Sequence, residues 1–311
     1  MSTDSIDHPD LPSPLTPDQV DRYERDGFVV IERFFNDAEL NTIQAGVWRQ
    51  FPSGPEYMAN PEQFAQFVAH AQAALSKYPW QELDANMLPL HPRLHDVARQ
   101  LIGSDDIRLY KAELWAKYGG GPNYEQEHHR DFGNHTLAVP SRDRRWRQLT
   151  TYVYLVDVDE TNGATAIVPK HLTDHIPLGI RKVEPASEIA QHLRAHELRL
   201  CAPAGSLVLY STEVFHRATS FDDPHGSRFL ALIDFRGADA TWTNKQSYGD
   251  RGLAPEMSEV VVAATPRQRG VLDIPLPGHP YWTEQTISDM IIRYPDINMH
   301  PYREAAATVL P

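Results

Sequence analysis

At Ile107 the chain changes character. Before it, apolar residues recur at helical spacing; after it come short apolar or alternating runs broken by turn-forming residues. Ile107–Ala116, Leu149–Val158, Ala164–Pro169, Ser206–Ser211 and Arg228–Phe235 each read as a strand. Gly119-Gly120-Gly121-Pro122, Asp159–Gly163 and Asp222–Gly226 punctuate them. Short strands spaced in this way close into a sandwich or a barrel.

The first hundred residues are mostly helical by pattern. Thr16 can cap a helix opening at Pro17, and Asn36 can cap one over 37–50, where Leu40, Ile43, Val47 and Trp48 share a face. Segments 61–76 and 92–102 also read as helix. Gly27-Phe28-Val29-Val30-Ile31 is β-branched and reads as a strand. A helix over 186–197 interrupts the strands, and another is expected near 283–293. The expected organisation is a flexible tail over 1–16, one β domain with N-terminal helices over 17–265, and a proline-rich extension over 266–311 packed on the same domain.

Charge narrows the functions open to such a domain. Asp and Glu number 42 against 29 Lys and Arg, a formal charge of -13. A phosphate-backbone binder needs a basic surface, so nucleic acid is not an expected partner, and an anionic membrane is not one either. With Cys201 as the only cysteine, neither an intramolecular disulfide nor a thiolate cluster can form; Cys201 reads as a small, partly buried hydrophobe. No signal-peptide pattern and no run of about 18 apolar residues occurs, so the cytoplasm is the expected location. Oligomeric state is not legible.

The residues that carry chemistry are Gln126-Glu127-His128-His129-Arg130-Asp131 and, far downstream, Phe215-His216-Arg217 and Arg228. On an extended segment residues i and i+2 share a face, so His129 and Asp131 can reach one ion together. His216, following a strand, can supply the third ligand. Two histidines and one carboxylate on one face of iron leave adjacent positions for a bidentate 2-oxoacid and dioxygen. Arg228 returns toward His216 across a short turn, and a guanidinium there can grip the far carboxylate of such an acid. A lone His-x-Asp carries no weight, as His8-Pro9-Asp10 illustrates; the combination with a second His and an Arg does. His70, His91, His135 and His192 read as ordinary surface or core residues.

Four segments resemble the phytanoyl-CoA dioxygenase family of 2-oxoglutarate oxygenases. They are Asp26-Gly27-Phe28-Val29-Val30-Ile31-Glu32-Arg33-Phe34-Phe35, His129-Arg130-Asp131, Tyr154 through Asn162-Gly163 to Pro169, and Ala204-Gly205-Ser206-Leu207-Val208-Leu209. The resemblance implies a mainly β fold with flanking helices, a double-stranded β-helix (jelly roll, cupin-like). It implies Fe(II) held by His129, Asp131 and His216, with Arg228 as the anchor of 2-oxoglutarate and Lys111 and Tyr152 where the family often places further oxoacid contacts. The activity implied is consumption of 2-oxoglutarate and O2, with release of succinate and CO2, coupled to hydroxylation or another oxidation of a small organic substrate. Two departures bear on the oxoacid contacts: Pro169-Lys170-His171 lacks the family's usual glycine, and Ala218 offers no hydroxyl. Asp131 keeps the carboxylate that related halogenases lose, which argues against halogenation.

A substrate hint lies in Arg142, Arg144, Arg145 and Arg147. If that loop overhangs the metal it attracts an anionic substrate; the plainer alternative, a solvated basic loop with Asp143 interleaved, is preferred. A different class of function also fits the ligand set: a metal-binding jelly roll without redox chemistry, an isomerase or a small-molecule binder, which would not need Arg228. A hydrolase fits poorly, because neither Gly-x-Ser-x-Gly nor His-Glu-x-x-His is present.

Overall fold

A computed structural model describes residues 14–68, 74–121, 123–135, 140–141, 143–241 and 254–309. Thr16 and Gln19 satisfy each other's backbone at the start of α1 (Pro17–Asp26), and Gly27, at φ 75°, ends it in the left-handed conformation. A Cβ at Gly27 would stand 2.3 Å from Val214, so the turn into β1 (Phe28–Ile31) admits only glycine. Asn36 and Glu39 form the same reciprocal cap on α2 (Asp37–Val47). There follow α3 (Gly54–Ala59), β2 (Ala74–Lys77), α4 (Leu83–Asn86) and α5 (Pro92–Ile102).

The helix expected over 61–76 does not form in its described part. A 3-10 turn occupies Ala65–Val68, and Ala74–Lys77 pairs instead along β3 (Ile107–Tyr118), with Ala74 opposite Ala116. An edge partner satisfies that backbone outright, which local helical propensity in a short segment does not match. Residues 69–73, with His70, and the tail through residue 13 lie outside the described residues.

Beyond β3 come α6 (Phe132–His135), β4 (Gln148–Tyr154), β5 (Ala166–Ile167), α7 (Glu188–His196), β6 (Leu198–Arg199), β7 (Leu207–Ser211), β8 (His216–Arg217) and β9 (Ser227–Gly237). The chain closes with α8 (Pro255–Ala263), α9 (Pro266–Val271), α10 (Glu284–Arg293) and α11 (His300–Val309). The strands form a six-stranded antiparallel sheet in the order β1-β7-β4-β9-β3-β2 and a three-stranded one in the order β6-β5-β8.

Strand alternation divides the large sheet into two faces. Leu114 and Ala116 of β3, Leu149 and Val153 of β4, and Phe229, Ala231, Ile233 and Phe235 of β9 pack outward under the helices in one continuous core. Trp282, Ile287, Tyr294 and Tyr302 of the C-terminal segment belong to that core as well. The opposite face contributes Trp115, Tyr152, Tyr154, Val208, Tyr210, Leu230 and Leu232 to a second cluster. It shares that cluster with Ile167 of the small sheet and with Leu200, Ala202 and Val214. This inner space, walled by both sheets, is where charged side chains are enclosed.

Helix α5 fixes the outer face through His95. The imidazole is fully buried, sits edge-on to Phe235 of β9 at 5.8 Å, and bonds through Nε2 to the Pro89 carbonyl at 3.0 Å. Burial, only partly offset by that carbonyl, pushes its pKa down to about 3. The folded pKa lies below the unfolded one, so the unfolded chain binds the extra proton first and stability falls with pH below about 6.5. Each pH unit is worth about 1.4 kcal/mol, so His95 alone should cost about 2 kcal/mol between pH 7 and pH 5. Urea unfolding at the two pH values should show this loss in the native chain and a smaller one in His95→Gln.

Candidate active site and metal centre

The two halves of the site are joined by main chain. His129 donates its N–H to the His216 carbonyl and His216 returns the bond, both at 3.0 Å, so the two residues face each other directly. Their rings lie 4.6 Å apart. Asp131 follows at i+2 and turns its carboxylate between them, 3.5 Å from His129 Nε2 and 3.2 Å from His216 Nε2. One ligand atom from each of the three residues lies within 4.8 Å of the others.

The donor chemistry fits a divalent metal. Nδ1 of His129 faces the Glu127 carbonyl at 3.0 Å, and Nδ1 of His216 faces that of Val214 at 3.5 Å. A carbonyl there favours a proton on Nδ1, which would leave Nε2 as the ligand atom when a metal is bound. Burial alone would raise the Asp131 carboxyl, but the facing His216 and His129 imidazoles hold it well below the usual carboxylate range. Tyr210 Oη donates to Asp131 Oδ2 at 3.0 Å, which orients the carboxylate.

The residues alternating with the ligands hold the ligand segments from behind. Arg130, buried between His129 and Asp131, donates to the carbonyls of Glu213 (2.7 Å), Pro177 (2.7 Å) and Ile180 (3.1 Å), and stacks on Phe215. Glu197 takes a bidentate pair from Arg217 at 2.7 and 2.8 Å and approaches His128 Nε2 at 3.0 Å. One carboxylate thereby ties together the neighbours of both histidine ligands.

Arg228 opens β9 on the inner face and donates to the Gly163 carbonyl. Its partner across the sheet is Lys117 of β3, whose ammonium lies over the Phe221 ring at 5.5 Å. Among the described residues no carboxylate lies within ion-pair distance of either cation. Burial, with Arg228 beside it, pulls Lys117 down to about 8, and burial lowers Arg228 as well. The two adjacent cations, with Asp222 near enough to act on Lys117 but not in ion-pair contact with it, can receive an anion.

The other expected oxoacid residues fall elsewhere on this face. Tyr152 lies midway along it, near Tyr154 on the Arg228 side and Tyr210 on the metal side, and its buried hydroxyl makes no hydrogen bond of normal length among the described residues. Lys111 is not brought to Arg228. It pairs across the sheet with Asp234, six residues along β9, which places it about 20 Å away. Lys117, not singled out in the sequence, stands across the sheet from Arg228. Only the β3/β9 register reveals this.

The basic loop is tied to the helices. Arg147 makes a bidentate pair with Glu24 at 2.8 and 2.7 Å and donates to the Leu101 carbonyl at 2.6 Å, while Arg144 donates to the Gln100 carbonyl at 2.8 Å. Both occupy the carbonyl end of α5, where cations are favoured, rather than reaching toward the metal ligands. Arg142 and the Arg145 side chain lie outside the described residues.

A jelly roll with two histidines and a carboxylate on facing inner strands defines the class of cupin-like non-haem metal proteins. The family model described as Phytanoyl-CoA dioxygenase (PhyH) matches residues 23–222, and the chain belongs to that family. It is a 2-oxoglutarate-dependent non-haem iron dioxygenase, with iron and 2-oxoglutarate as its cofactors. The ectoine dioxygenase of Bordetella bronchiseptica is 27% identical over 227 residues, 68% of this chain and 72% of the relative. That of Sphingopyxis alaskensis is 27% identical over 229 residues, 66% of this chain and 70% of the relative.

Among solved structures, EctD from S. alaskensis with 2-oxoglutarate and 5-hydroxyectoine superposes with a TM-score of 0.56 at 21% identity, over 73% of this chain and 78% of that one. The non-haem alpha ketoglutarate dependent carbocyclase SnoK from nogalamycin biosynthesis superposes with a TM-score of 0.55 at 19% identity, over 76% and 89%. These likenesses establish the jelly-roll fold. No helix among the described residues is long and apolar enough to cross a membrane.

Removing the hydrogen bond to Asp131 should loosen the metal without unfolding the protein. Tyr210→Phe is expected to weaken Fe(II) binding roughly 10- to 100-fold, the range for outer partners of metal ligands. Anaerobic titration with Fe(II) reads that change, and the melting temperature serves as the control.

Proposed function

We propose that His129, Asp131 and His216 hold Fe(II), that Arg228 and Lys117 hold the far carboxylate of 2-oxoglutarate, and that the enzyme hydroxylates an unactivated C–H bond of a small organic substrate. The observation that carries this reading is the pair of adjacent cations, half-buried Arg228 and buried Lys117, facing the inner space with no carboxylate in ion-pair contact among the described residues. A non-redox jelly roll would need the metal ligands but neither of these charges.

When bound, iron and 2-oxoglutarate supply the oxidising power, consuming O2 and releasing succinate and CO2 as the substrate is oxidised. The chain's own residues bind and orient. Arg228 and Lys117 draw one carboxylate of the oxoacid to the far end of the inner face, which sends its other end toward His129, Asp131 and His216. Tyr152 lies between the two ends, its buried hydroxyl beside Thr165 and Tyr154. Tyr154, Leu230 and Leu232 wall this path with apolar surface and exclude water from it. The relatives named as ectoine dioxygenases support a small polar substrate and an oxygen-inserting outcome.

The test is anaerobic titration of the apoprotein with Fe(II) and then 2-oxoglutarate, following the weak visible charge-transfer band of a chelated oxoacid. The band should need both additions and should be lost in His129→Ala. Arg228→Ala and Lys117→Ala should each raise the oxoacid concentration required roughly 10- to 100-fold, as expected for losing a charge-assisted hydrogen bond in an enclosed site. Iron binding with no band at saturating oxoacid would refute the reading in favour of a non-redox metal protein.

A further inference from the structure

Three tyrosines stand in file between the metal ligands and the protein surface. Tyr210 of β7 begins the line: its hydroxyl bonds Asp131 at 3.0 Å and its ring lies 5.1 Å from that of His216. Tyr152 of β4 follows with its ring centre 5.9 Å from that of Tyr210, and Tyr154 stands 5.3 Å beyond Tyr152. All three are buried. The strands set this spacing. Tyr152 and Tyr154 are i and i+2 on β4, and Tyr210 pairs across the sheet with Thr150, the preceding inner residue of that strand. Past Tyr154 the line meets solvent. The Tyr154 hydroxyl donates to the Leu200 carbonyl at 2.7 Å, and the next residue, Cys201, is exposed and near enough to act on Tyr154.

Packing alone does not call for phenols here. Phenylalanine rings would fill the same space, whereas each buried hydroxyl costs free energy unless it is well bonded. That of Tyr152, beside Thr165 and Tyr154, makes no hydrogen bond of normal length among the described residues. What a phenol offers and a phenyl ring does not is a ready one-electron oxidation, and rings in contact pass an electron vacancy from one to the next. A site that activates O2 has use for such an outlet, because it must also dispose of side reactions. Turnover with no substrate C–H bond in reach consumes O2 and 2-oxoglutarate and releases succinate and CO2. It leaves one oxygen atom and two oxidising equivalents beside the metal ligands.

We propose that Tyr210, Tyr152 and Tyr154 form a protective electron relay from the metal site to Cys201, whose thiol is the sacrificial site of oxidation. The relay presupposes iron at the triad. Electrons move inward one at a time, from Cys201 through Tyr154, Tyr152 and Tyr210. Two electrons and two protons reduce the oxygen atom left in the site to water. At the surface the thiol takes the oxygen of a water molecule, gives up two electrons and two protons, and ends as a sulfenic acid. In sum, thiol, O2 and 2-oxoglutarate become sulfenic acid, succinate and CO2. A sulfenic acid is reversible by thiols, so the oxidation falls where it can be repaired rather than on the ligands. Direct attack from solution is a slow competitor: burial and the nearby Glu160 and Asp159 carboxylates raise the Cys201 pKa, and the thiol is a poor nucleophile toward peroxide.

The test exposes protein loaded anaerobically with Fe(II) and 2-oxoglutarate to O2, with catalase and without substrate. Freeze-quenched samples are read by electron paramagnetic resonance, and dimedone-treated peptides by mass spectrometry. The native chain should show a tyrosyl radical and a dimedone adduct at Cys201, both lost when Fe(II) or 2-oxoglutarate is omitted. Tyr154→Phe should lose the adduct, counted per succinate released, and gain added oxygen at Tyr152 or Tyr210 instead. Cys201→Ser, an exposed change that leaves the packing alone, should prolong the radical. Succinate released with Cys201 unmodified, or an equal adduct in Tyr154→Phe, overturns the relay. So does an oxoacid band with no succinate release, because nothing is then left to discharge. Absence of the band itself would instead refute the iron and oxoacid reading.

Discussion

The site depends on two main-chain hydrogen bonds exchanged by His129 and His216. Side chains alone do not bring residues 87 positions apart to a common ion. Reciprocal antiparallel bonds do, because they fix both Cα positions and both side-chain directions at once. Once they are made, Asp131 reaches the same point by strand periodicity, and the remaining polar groups nearby become props. Arg130, Arg217 and Glu197 brace the segments from outside, and Tyr210 steadies the carboxylate from inside. The bonds can form only because β7 and the turn through Val214 deliver His216 against residue 129. That approach requires glycine at position 27, where any larger residue meets Val214.

Alternation along β3 and β9 then arranges the charges of the chamber. On β3 the inner positions read Lys111, Glu113, Trp115 and Lys117; on β9 they read Arg228, Leu230, Leu232 and Asp234. The antiparallel register sets Lys117 against Arg228 at one end and Lys111 against Asp234 at the other, with apolar and aromatic residues between. One end is therefore purely cationic and the other mixed. In the proposed reading a dicarboxylate co-substrate is drawn to the first. The same strands turn Leu114, Ala116, Phe229, Ala231, Ile233 and Phe235 outward under the helices, so the stability of the sheet and the chemistry of its inner face are specified on alternate residues.

Much of this was legible in the amino-acid sequence, and the failures have physical causes. The strands and the capped helices could be read because their information is local: turn residues, β-branched runs, and Thr16 or Asn36 ahead of a helical period. His129, Asp131 and His216 could be singled out because metal chemistry restricts residue type and i, i+2 spacing is a local property. The helix expected over 61–76 was wrong at its end because Ala74–Lys77 takes its bonding partner from β3, about forty residues on, which no local pattern records. Lys111 was read as a further oxoacid contact while Lys117, the lysine across from Arg228, was overlooked, because strand pairing is not written locally. Both are lysines on one face of one strand, and only pairing with β9 says which meets Arg228. The arginines at 144 and 147 read as a loose basic loop because their partners, Glu24 and the end of α5, lie far away in the chain.

In the proposed site, iron lies between His129, Asp131 and His216 and the far carboxylate of 2-oxoglutarate on Arg228 and Lys117. An anaerobic crystal structure with Fe(II) and 2-oxoglutarate, with the metal located by its anomalous scattering, tests this most directly. One iron peak is expected, bonded to Nε2 of both histidines and to a carboxylate oxygen of Asp131, with the oxoacid running along the inner face past Tyr152 to the two cations. Iron bound elsewhere, or an oxoacid whose far carboxylate meets neither Arg228 nor Lys117, would contradict it.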